Sequence, residues 1–298
     1  MNKISTSTDK YGFIVRPVQE QDYPDILKIS KDIWEGYDYL PKVFHAWLRQ
    51  PGLFIGVQDP ITNELIAVSR VALLHDGTAW LGGLRVRPDY QGRGISHLMI
   101  QAQINYALEK LLQGSVQRIA CATFIKNEAS KHLCLSYGMQ IKQTFLLLSW
   151  SKACMLRPLQ VEPWHPSWEE IEALPYFKDT KQVIVQFFKM QQISQAWWEQ
   201  SKKDFQLFKI NGARGWIDQS QEPHCVVLEP TATSLHDWLQ FANEKLSEEA
   251  STVILPKASL IDELKQTQLE AWSNWEPDCF YFVYESPTPS SSICRTGT

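Results

Sequence analysis

The chain reads as an α+β protein: a mixed, mostly antiparallel sheet flanked by helices, with a second α/β half behind it. Two observations carry this reading. Short alternating stretches separated by turn clusters lead through a glycine loop into one long helix. Beyond a proline-rich boundary, strand and helix patterns alternate again, in the order strand, helix, strand, helix, strand.

Residues 13–16 alternate toward a first strand, ended by Pro17. Asp22 is placed to cap a helix over about 23–33, with Ile26, Leu27 and Ile29 on its buried side. A second short helix fits 41–49. Residues 53–57 read as a strand, 59–63 as a turn and 65–74 as a long strand. Asp76-Gly77 makes a hairpin turn, and 79–86 completes the meander. Gly82-Gly83 inside that strand predicts a bulge or splay. Downstream, 118–123 reads as a strand, 127–137 as a helix stopped by Gly138, and 145–149 as a strand.

The glycine loop is the most informative stretch. The strand through Leu84, Arg85 and Val86 ends at Pro88, and a helix over about 95–112 starts directly after Gly94. Gly92 and Gly94 allow a tight turn and close backbone approach to a ligand. The first N–H groups of the helix have no partners within it, and its dipole adds positive charge there. Such a terminus suits a phosphate or pyrophosphate. A Walker A loop is excluded, because no Lys followed by Ser or Thr comes after the glycines. A dinucleotide fingerprint fails too, since His97 stands where its third glycine belongs.

What fits is the pattern Q/R-x-x-G-x-G/A, with Gln91, Gly94 and Ser96 in its three places. On those residues the chain resembles the GNAT acetyltransferases. Their pattern N-x-x-A-x-x-x-Y-x-x-x-G-F also fits, with Asn127, Ser130, Gly138 and Met139 at the right intervals and Cys134 replacing the Tyr. The run from Asp32 to Pro41, D-I-x-x-G-x-D-Y-L-P, with Trp47-Leu48 after it, is similar to the histidine N-acetyltransferase group. The resemblance covers about residues 12–150 by motif and the rest by layout.

The resemblance implies a GNAT fold and acetyl-CoA as acyl donor. It places the donor against Leu84, Arg85, Val86, Gln91, Gly92, Arg93, Gly94, Ile95, Ser96 and Asn127. A splay at Gly82-Gly83 would offer backbone groups to the pantetheine arm. Asn127 is equally suited to plain helix capping. The segment between the first two helices forms one wall of the acceptor site in this superfamily, which implicates Trp34, Tyr37, Asp38 and Tyr39. Arg70 could hold an acceptor carboxylate bidentately or snorkel to solvent.

Acetyl transfer to an amine needs a neutral nucleophile, close alignment, and donors for the oxyanion and leaving thiolate. An α-amino group titrates near pH ~8, so its base need not be strong. Many GNAT enzymes carry a Glu on the strand before the loop. Here that stretch, 80–84, holds no carboxylate. The candidate catalytic groups are Glu35 and Tyr39 on the acceptor side, and Cys134 and Tyr137 for the leaving thiolate. Glu35 and Asp38 can also be solvated charges, the tyrosines ordinary packing, and Cys134 a small buried hydrophobe.

The reading is therefore an N-acetyltransferase acting on a small amine, with the α-amino group of an amino acid such as histidine as acceptor. A protein or peptide N-acetyltransferase and a non-catalytic acyl-CoA-binding regulatory protein are the alternatives. The 298 residues suit two domains: a GNAT domain over 1–150 and a GNAT-like domain over 151–286, with a flexible tail over 287–298. Pro158, Pro163 and Pro166 mark the boundary.

In the second half, 182–190, 205–210, 224–229, 252–255 and 279–285 read as strands, and Asn211-Gly212 as a turn. Helices fit 235–249, capped by Ser234, and 259–272. Pro230-Thr231-Ala232-Thr233 stands where the glycine loop would recur, so this half reads as a degenerate repeat without a pyrophosphate loop.

A net charge of −4 without a basic block argues against nucleic acid. Residues 1–10 lack the apolar core of a signal peptide, and no run of ~18 apolar residues suggests a membrane span. The six cysteines are scattered, which predicts neither a metal site nor a disulfide framework and suits reduced thiols in a cytoplasmic protein, expected as a monomer or homodimer.

Overall fold

The computed structural model describes residues 7–8, 12–150, 155–186, 189–219, 224–246 and 250–284. The predicted tail lies outside these. The first half supplies β1 (Ser7–Thr8), β2 (Ile14–Pro17), α1 (Tyr23–Ser30), α2 (Leu40–Arg49), β3 (Gly52–Gln58), β4 (Leu65–Leu73), β5 (Thr78–Val86), α3 (Ile95–Leu112), β6 (Arg118–Phe124), α4 (Glu128–Ser136) and β7 (Met139–Ser149). The second begins with β8 (Val161–Pro163), α5 (Trp168–Glu172), α6 (Pro175–Asp179), β9 (Val183–Gln186), β10 (Lys189–Gln192) and α7 (Gln195–Ser201). It continues with β11 (Phe205–Ile210), β12 (Ala213–Asp218), β13 (His224–Val227), α8 (Ala232–Lys245), β14 (Ser251–Ile254), α9 (Ala258–Leu264), β15 (Glu270–Ala271) and β16 (Cys279–Tyr284).

One large sheet runs through both halves, in the order β1-β2-β3-β4-β5-β6-β16-β7-β14-β13-β12-β11-β8, with β15 also beside β7. Its two wings mirror each other. Each climbs through antiparallel strands to a parallel pair, β5–β6 in one and β13–β14 in the other. A helix, α3 or α8, links the two strands of each parallel pair. At the centre the halves exchange strands. β16, from the end of the chain, lies between β6 and β7, and β7 in turn pairs with β14. This is the mixed, mostly antiparallel sheet expected, with a second wing that repeats the order of the first.

The cores follow from side-chain alternation along the strands. Ile55, Ile66, Val71 and Leu81 face Met99, Ile104 and Leu133 on the α3–α4 side. On the opposite side, Phe54, Leu65 and Val68 face Ile26, Phe44 and Trp47 of α1 and α2. The β9–β10 hairpin covers the middle of that same face, where Val185 and Met190 pack with Trp80, Phe145, Leu147 and Tyr281. In the second wing, Trp197, Trp198, Trp216 and Trp238 are fully buried. Each removes an aromatic surface of ~200 Å² from water.

Several local expectations are corrected. Asp22 does not cap α1 with its side chain. Its carboxylate instead accepts from Gln19 N at 2.7 Å and from both terminal nitrogens of Arg16 at 2.8 Å, so it ties the strand end to the turn. Ser234 is not the N-cap of α8. Thr231 is, and Ser234 closes a reciprocal capping box three residues on. Residues 182–190 form a hairpin rather than one strand. The helix expected over 259–272 stops at Leu264, since the chain must turn to place β15 against β7.

Candidate active site

The site grows from a gap in the sheet. β5 and β6 are paired only at Thr78–Arg118, Ala79–Ile119 and Trp80–Ala120. Past Trp80 and Ala120 the two parallel strands have no ladder partners in each other, so the sheet opens as a V. The cause is local. Between β4 and β5 the register shifts by one residue, with Val68 opposite Arg85 but Arg70 opposite Gly82. The extra residue is a bulge, and Gly83 adopts φ +65° within it. The splay expected from Gly82-Gly83 is thus present, at the strand it was expected in.

At the open end of the V, β5 passes through a short turn over Pro88–Tyr90 into α3. Gly92 and Gly94 both have left-handed φ, +75° and +79°. A Cβ at either would meet nothing within 4 Å, so open space lies above both. Gly94 is the N-cap of α3 and no side chain caps that end, which leaves its first N–H groups for a ligand. The turn is held from below. Tyr90 donates its hydroxyl to Asp59 Oδ2 at 2.6 Å, and Asp59 Oδ1 accepts from Ile61 N at 2.7 Å. The hydrogen bond from Tyr90 and those from the backbone hold the Asp59 carboxyl below its usual range. Arg87, before the loop, and Arg93, within it, each lie 4.6 Å from the Tyr90 ring centroid.

The donor residues expected from sequence divide by direction. Leu84 and Val86 turn into the α3–α4 core, so their backbones are what they offer to the V. Arg85 points to the other face. Its Nε and Nη2 bond to the two Asp38 oxygens at 3.1 Å, and its guanidinium lies 5.3 Å from the Tyr39 ring centroid. Gln91, Gly92, Arg93 and Gly94 are exposed, Ser96 is half-buried and Ile95 buried. Asn127 caps α4 by accepting from Ser130 N at 3.0 Å, which is the plain capping role.

The acceptor-side residues are only partly brought together. Asp38 is buried and already engaged by Arg85, so it is no free ligand for an amine. Tyr39 packs edge-on against Trp47, with centroids 6.1 Å apart. Trp47 in turn lies on Gly83, where an added Cβ would come within 2.7 Å of the indole. Glu35, at φ +58°, and Tyr37 are exposed. The Trp34 side chain lies outside what is described.

Arg70 departs from expectation. It is 4% exposed and donates to Trp47 O at 2.7 Å, Gln50 Oε1 at 3.1 Å and Pro51 O at 3.3 Å. It is therefore a clamp on the C-terminus of α2, where the helix dipole is negative, rather than an open carboxylate ligand. Burial without a carboxylate partner pulls its pKa down to about 10.

On α4, Cys134 faces the core and lies 3.6 Å from Cys121 Sγ on β6. Tyr137 donates its hydroxyl to His97 O at 3.1 Å, tying α4 to α3, and burial pushes that hydroxyl's pKa up. The Arg85–Asp38 pair, the Trp47–Gly83 contact and Cys121 went unrecognised in the sequence. The first two join residues far apart in the chain, and no local pattern marks the approach of Cys121 to Cys134.

Among the described residues, no cluster of three or more His, Cys, Asp or Glu could hold a metal, and no helix is long and apolar enough to cross a membrane.

A splayed parallel pair with a glycine loop and an uncapped helix terminus at its mouth is the arrangement expected of the GNAT fold. Residues 20–139 match the model of the acetyltransferase (GNAT) family, and this part of the chain is a GNAT acetyltransferase domain. The chain is similar to a histidine N-acetyltransferase of Xenopus tropicalis, 29% identical over 149 residues, which are 50% of this chain and 44% of that protein. A histidine N-acetyltransferase of Oreochromis niloticus is 28% identical over 102 residues, 34% of this chain and 30% of its own length. The chain thus matches less than half the length of these curated relatives. A putative acetyltransferase from Pyrococcus horikoshii shares the fold over 94% of this chain and 92% of its own, with TM-score 0.64 at 14% identity.

Proposed function

We propose that the protein is an acetyl-CoA-dependent N-acetyltransferase that acetylates a small-molecule amine, with the α-amino group of an amino acid such as histidine as the acceptor class. The carrying observation is the V between β5 and β6 with the open N-terminus of α3 at its mouth. The residues fit the coenzyme: the space over Gly92 and Gly94 is a cradle that any Cβ would begin to fill. Bound acetyl-CoA would supply the activated acetyl group. Backbone N–H groups of 92–96 would hold its pyrophosphate, and the unpaired β5 edge at Leu84, Arg85 and Val86 would hold its pantetheine arm.

The chain's own part in the chemistry is mainly positional. The Arg85–Asp38 pair fixes the segment between α1 and α2 against β5, and so sets one acceptor wall. Tyr39 and Glu35 stand on that wall as candidates to receive the ammonium proton, directly or through water. Cys134 and Tyr137 on α4 are the candidates to protonate the leaving thiolate. The β9–β10 hairpin of the second half covers the neighbouring face, which favours a small acceptor over a peptide. On this reading 1–150 is the catalytic unit and 151–286 a GNAT-like partner without a coenzyme loop, in a cytoplasmic monomer or homodimer.

The test is release of free coenzyme thiol from acetyl-CoA in the presence of a panel of amino acids, polyamines and peptides. Release dependent on a free amino acid is expected. Release only with peptides would overturn the acceptor class, and coenzyme binding without release for any acceptor would favour a non-catalytic acyl-CoA-binding protein.

A further inference from the structure

Behind the V lies a pair of thiols, of which acetyl transfer would call on Cys134 alone. Cys121 is the first residue of β6 beyond its last pair with β5, at the vertex of the opening. Its Sγ is 3.6 Å from Cys134 Sγ and 3.7 Å from Met139 Sδ. Both thiols are free, and each is 6% exposed. Cys225 and Cys279 are also buried and free, and neither is in sulfur contact with another described cysteine. The pair bridges two elements that border the V, the strand β6 and the helix α4.

We propose that Cys121 and Cys134 are a redox-active pair, a site at which a low-molecular-weight disulfide converts the two thiols into one intramolecular disulfide. The Cys134 thiolate attacks the reagent R–S–S–R, an S–S bond breaks, and RS⁻ leaves from a mixed disulfide on Cys134. Cys121 then loses its proton and attacks the Cys134 sulfur, and the second RS⁻ leaves. The two protons lost by the protein end on two RSH. The protein is oxidised by two electrons and the reagent reduced by two.

The geometry suits this order. The two sulfurs are in contact at 3.6 Å, where either thiol can donate, and this contact favours the thiolate at Cys134 and disfavours it at Cys121, which is also desolvated by burial. Bond formation must shorten the sulfur separation from 3.6 Å to about 2.05 Å, which draws α4 toward β6. A shift of α4 carries with it Asn127 at its N-terminus, a residue of the proposed donor site, so the oxidised form is expected to bind coenzyme A more weakly. That last consequence rests on the coenzyme site proposed above; the disulfide does not.

The full chain would be incubated with hydroxyethyl disulfide, alkylated and analysed by peptide mass spectrometry, with coenzyme A affinity measured in parallel by calorimetry. A cross-linked peptide pair carrying Cys121 and Cys134 is expected, together with an affinity for coenzyme A lowered about tenfold, both reversed by dithiothreitol. The Cys121→Ser variant should bind coenzyme A normally, form no cross-link and accumulate a stable hydroxyethylthio adduct on Cys134. Cys121→Ala serves if the hydroxyl destabilises the core.

Recovery of both cysteines as alkylated thiols after oxidant would overturn the proposal. A cross-link that leaves coenzyme affinity unchanged in a protein that binds coenzyme A when reduced would overturn the coupling of the pair to the coenzyme site. Failure of the reduced protein to bind coenzyme A would count against the coenzyme site alone, and the cross-link with its adduct control would still decide the pair.

Discussion

The N-termini of α3 and α8 hold matching places in the two wings, each following the first strand of the parallel pair, and they are finished in opposite ways. α3 begins at Gly94 in a left-handed conformation, with no side-chain cap and open space around the loop. α8 begins at Thr231, whose Oγ1 accepts from Ser234 N at 3.1 Å while Ser234 Oγ accepts from Thr231 N at 2.8 Å. Glu229 and Asp237 also line the cleft of about 320 Å³ beside that terminus, and their carboxylates disfavour an anion there. The fold position alone does not make an anion site. It becomes one where the terminal donors are left uncapped and glycine keeps side chains away.

The strongest way to break this comparison is Gly94→Trp. Any side chain there must adopt φ +79°, a left-handed conformation costing about 1–2 kcal/mol, and the indole would fill the space over the loop. Coenzyme A affinity is expected to fall by about 100-fold or more in calorimetry, with the circular dichroism spectrum retained. Undiminished binding would remove the loop from the coenzyme site and make the two termini equivalent.

Gly83→Ala probes the bulge that opens the first wing. The new Cβ would lie 2.7 Å from the Trp47 ring at φ +65°, so Trp47 or the strand must shift. Trp47 carries Tyr39 on its other side, so the displacement reaches the acceptor wall. The expected result is a drop of about 10–100-fold in kcat/KM for the acceptor, larger than any loss of coenzyme affinity. A variant with full activity toward the acceptor would separate Trp47 from the acceptor wall.

How much of this could be read in advance follows from how local each feature is. The loop, the splay and the turn at Asp76-Gly77 depend on glycines and neighbours within a few residues, and the sequence displays them. Gly77, at φ +75°, closes the hairpin as expected. The insertion of β16 between β6 and β7 has no local mark, because Tyr281 pairs with Ala122 and Gln143, each more than a hundred residues away. Arg70 failed as an acceptor ligand for the same reason: its three oxygen partners are contributed by the end of α2 and the turn after it. The 182–190 stretch is apolar enough for one strand, and its division into two paired strands places Val185 and Met190 opposite each other in the cluster with Trp80 and Tyr281, a tertiary contact with no local mark.

The exchanged strands offer a second contrast, between the open V and the sealed centre. Where β16 enters the sheet, Asp278 is fully buried and accepts from Leu147 N of β7. Burial raises its pKa above the ordinary value, against the opposing bonds from Leu147 N and Ser273. A raised carboxyl pKa means that the folded state holds the proton more tightly than the unfolded one. Its stabilising share is then present below the unfolded value near ~4 and is lost as pH rises through the folded value. Asp278→Asn removes that loss while keeping a carbonyl for Leu147 N. The variant should gain on the parent as pH rises from 4 to 8, as read in urea unfolding. An Asn variant that loses ground with rising pH would reverse the sign assigned to this carboxylate.

The smallest expected effect sharpens the comparison most. Thr231→Ala deletes the oxygen that accepts from Ser234 N and breaks one side of the capping box. Loss of such a cap costs about 1 kcal/mol, and here it exposes a backbone donor beside Glu229 and Asp237. Urea unfolding should show that loss, while coenzyme A affinity and acceptor kinetics should stay within about twofold of the parent. If uncapping α8 instead created measurable phosphate or coenzyme A binding, an open helix terminus would suffice for an anion site, and neither the glycines of α3 nor the acidic lining of α8 would be needed to explain the asymmetry. With no binding gained, the donors and the vacant space above them are both required, and only the first wing combines them.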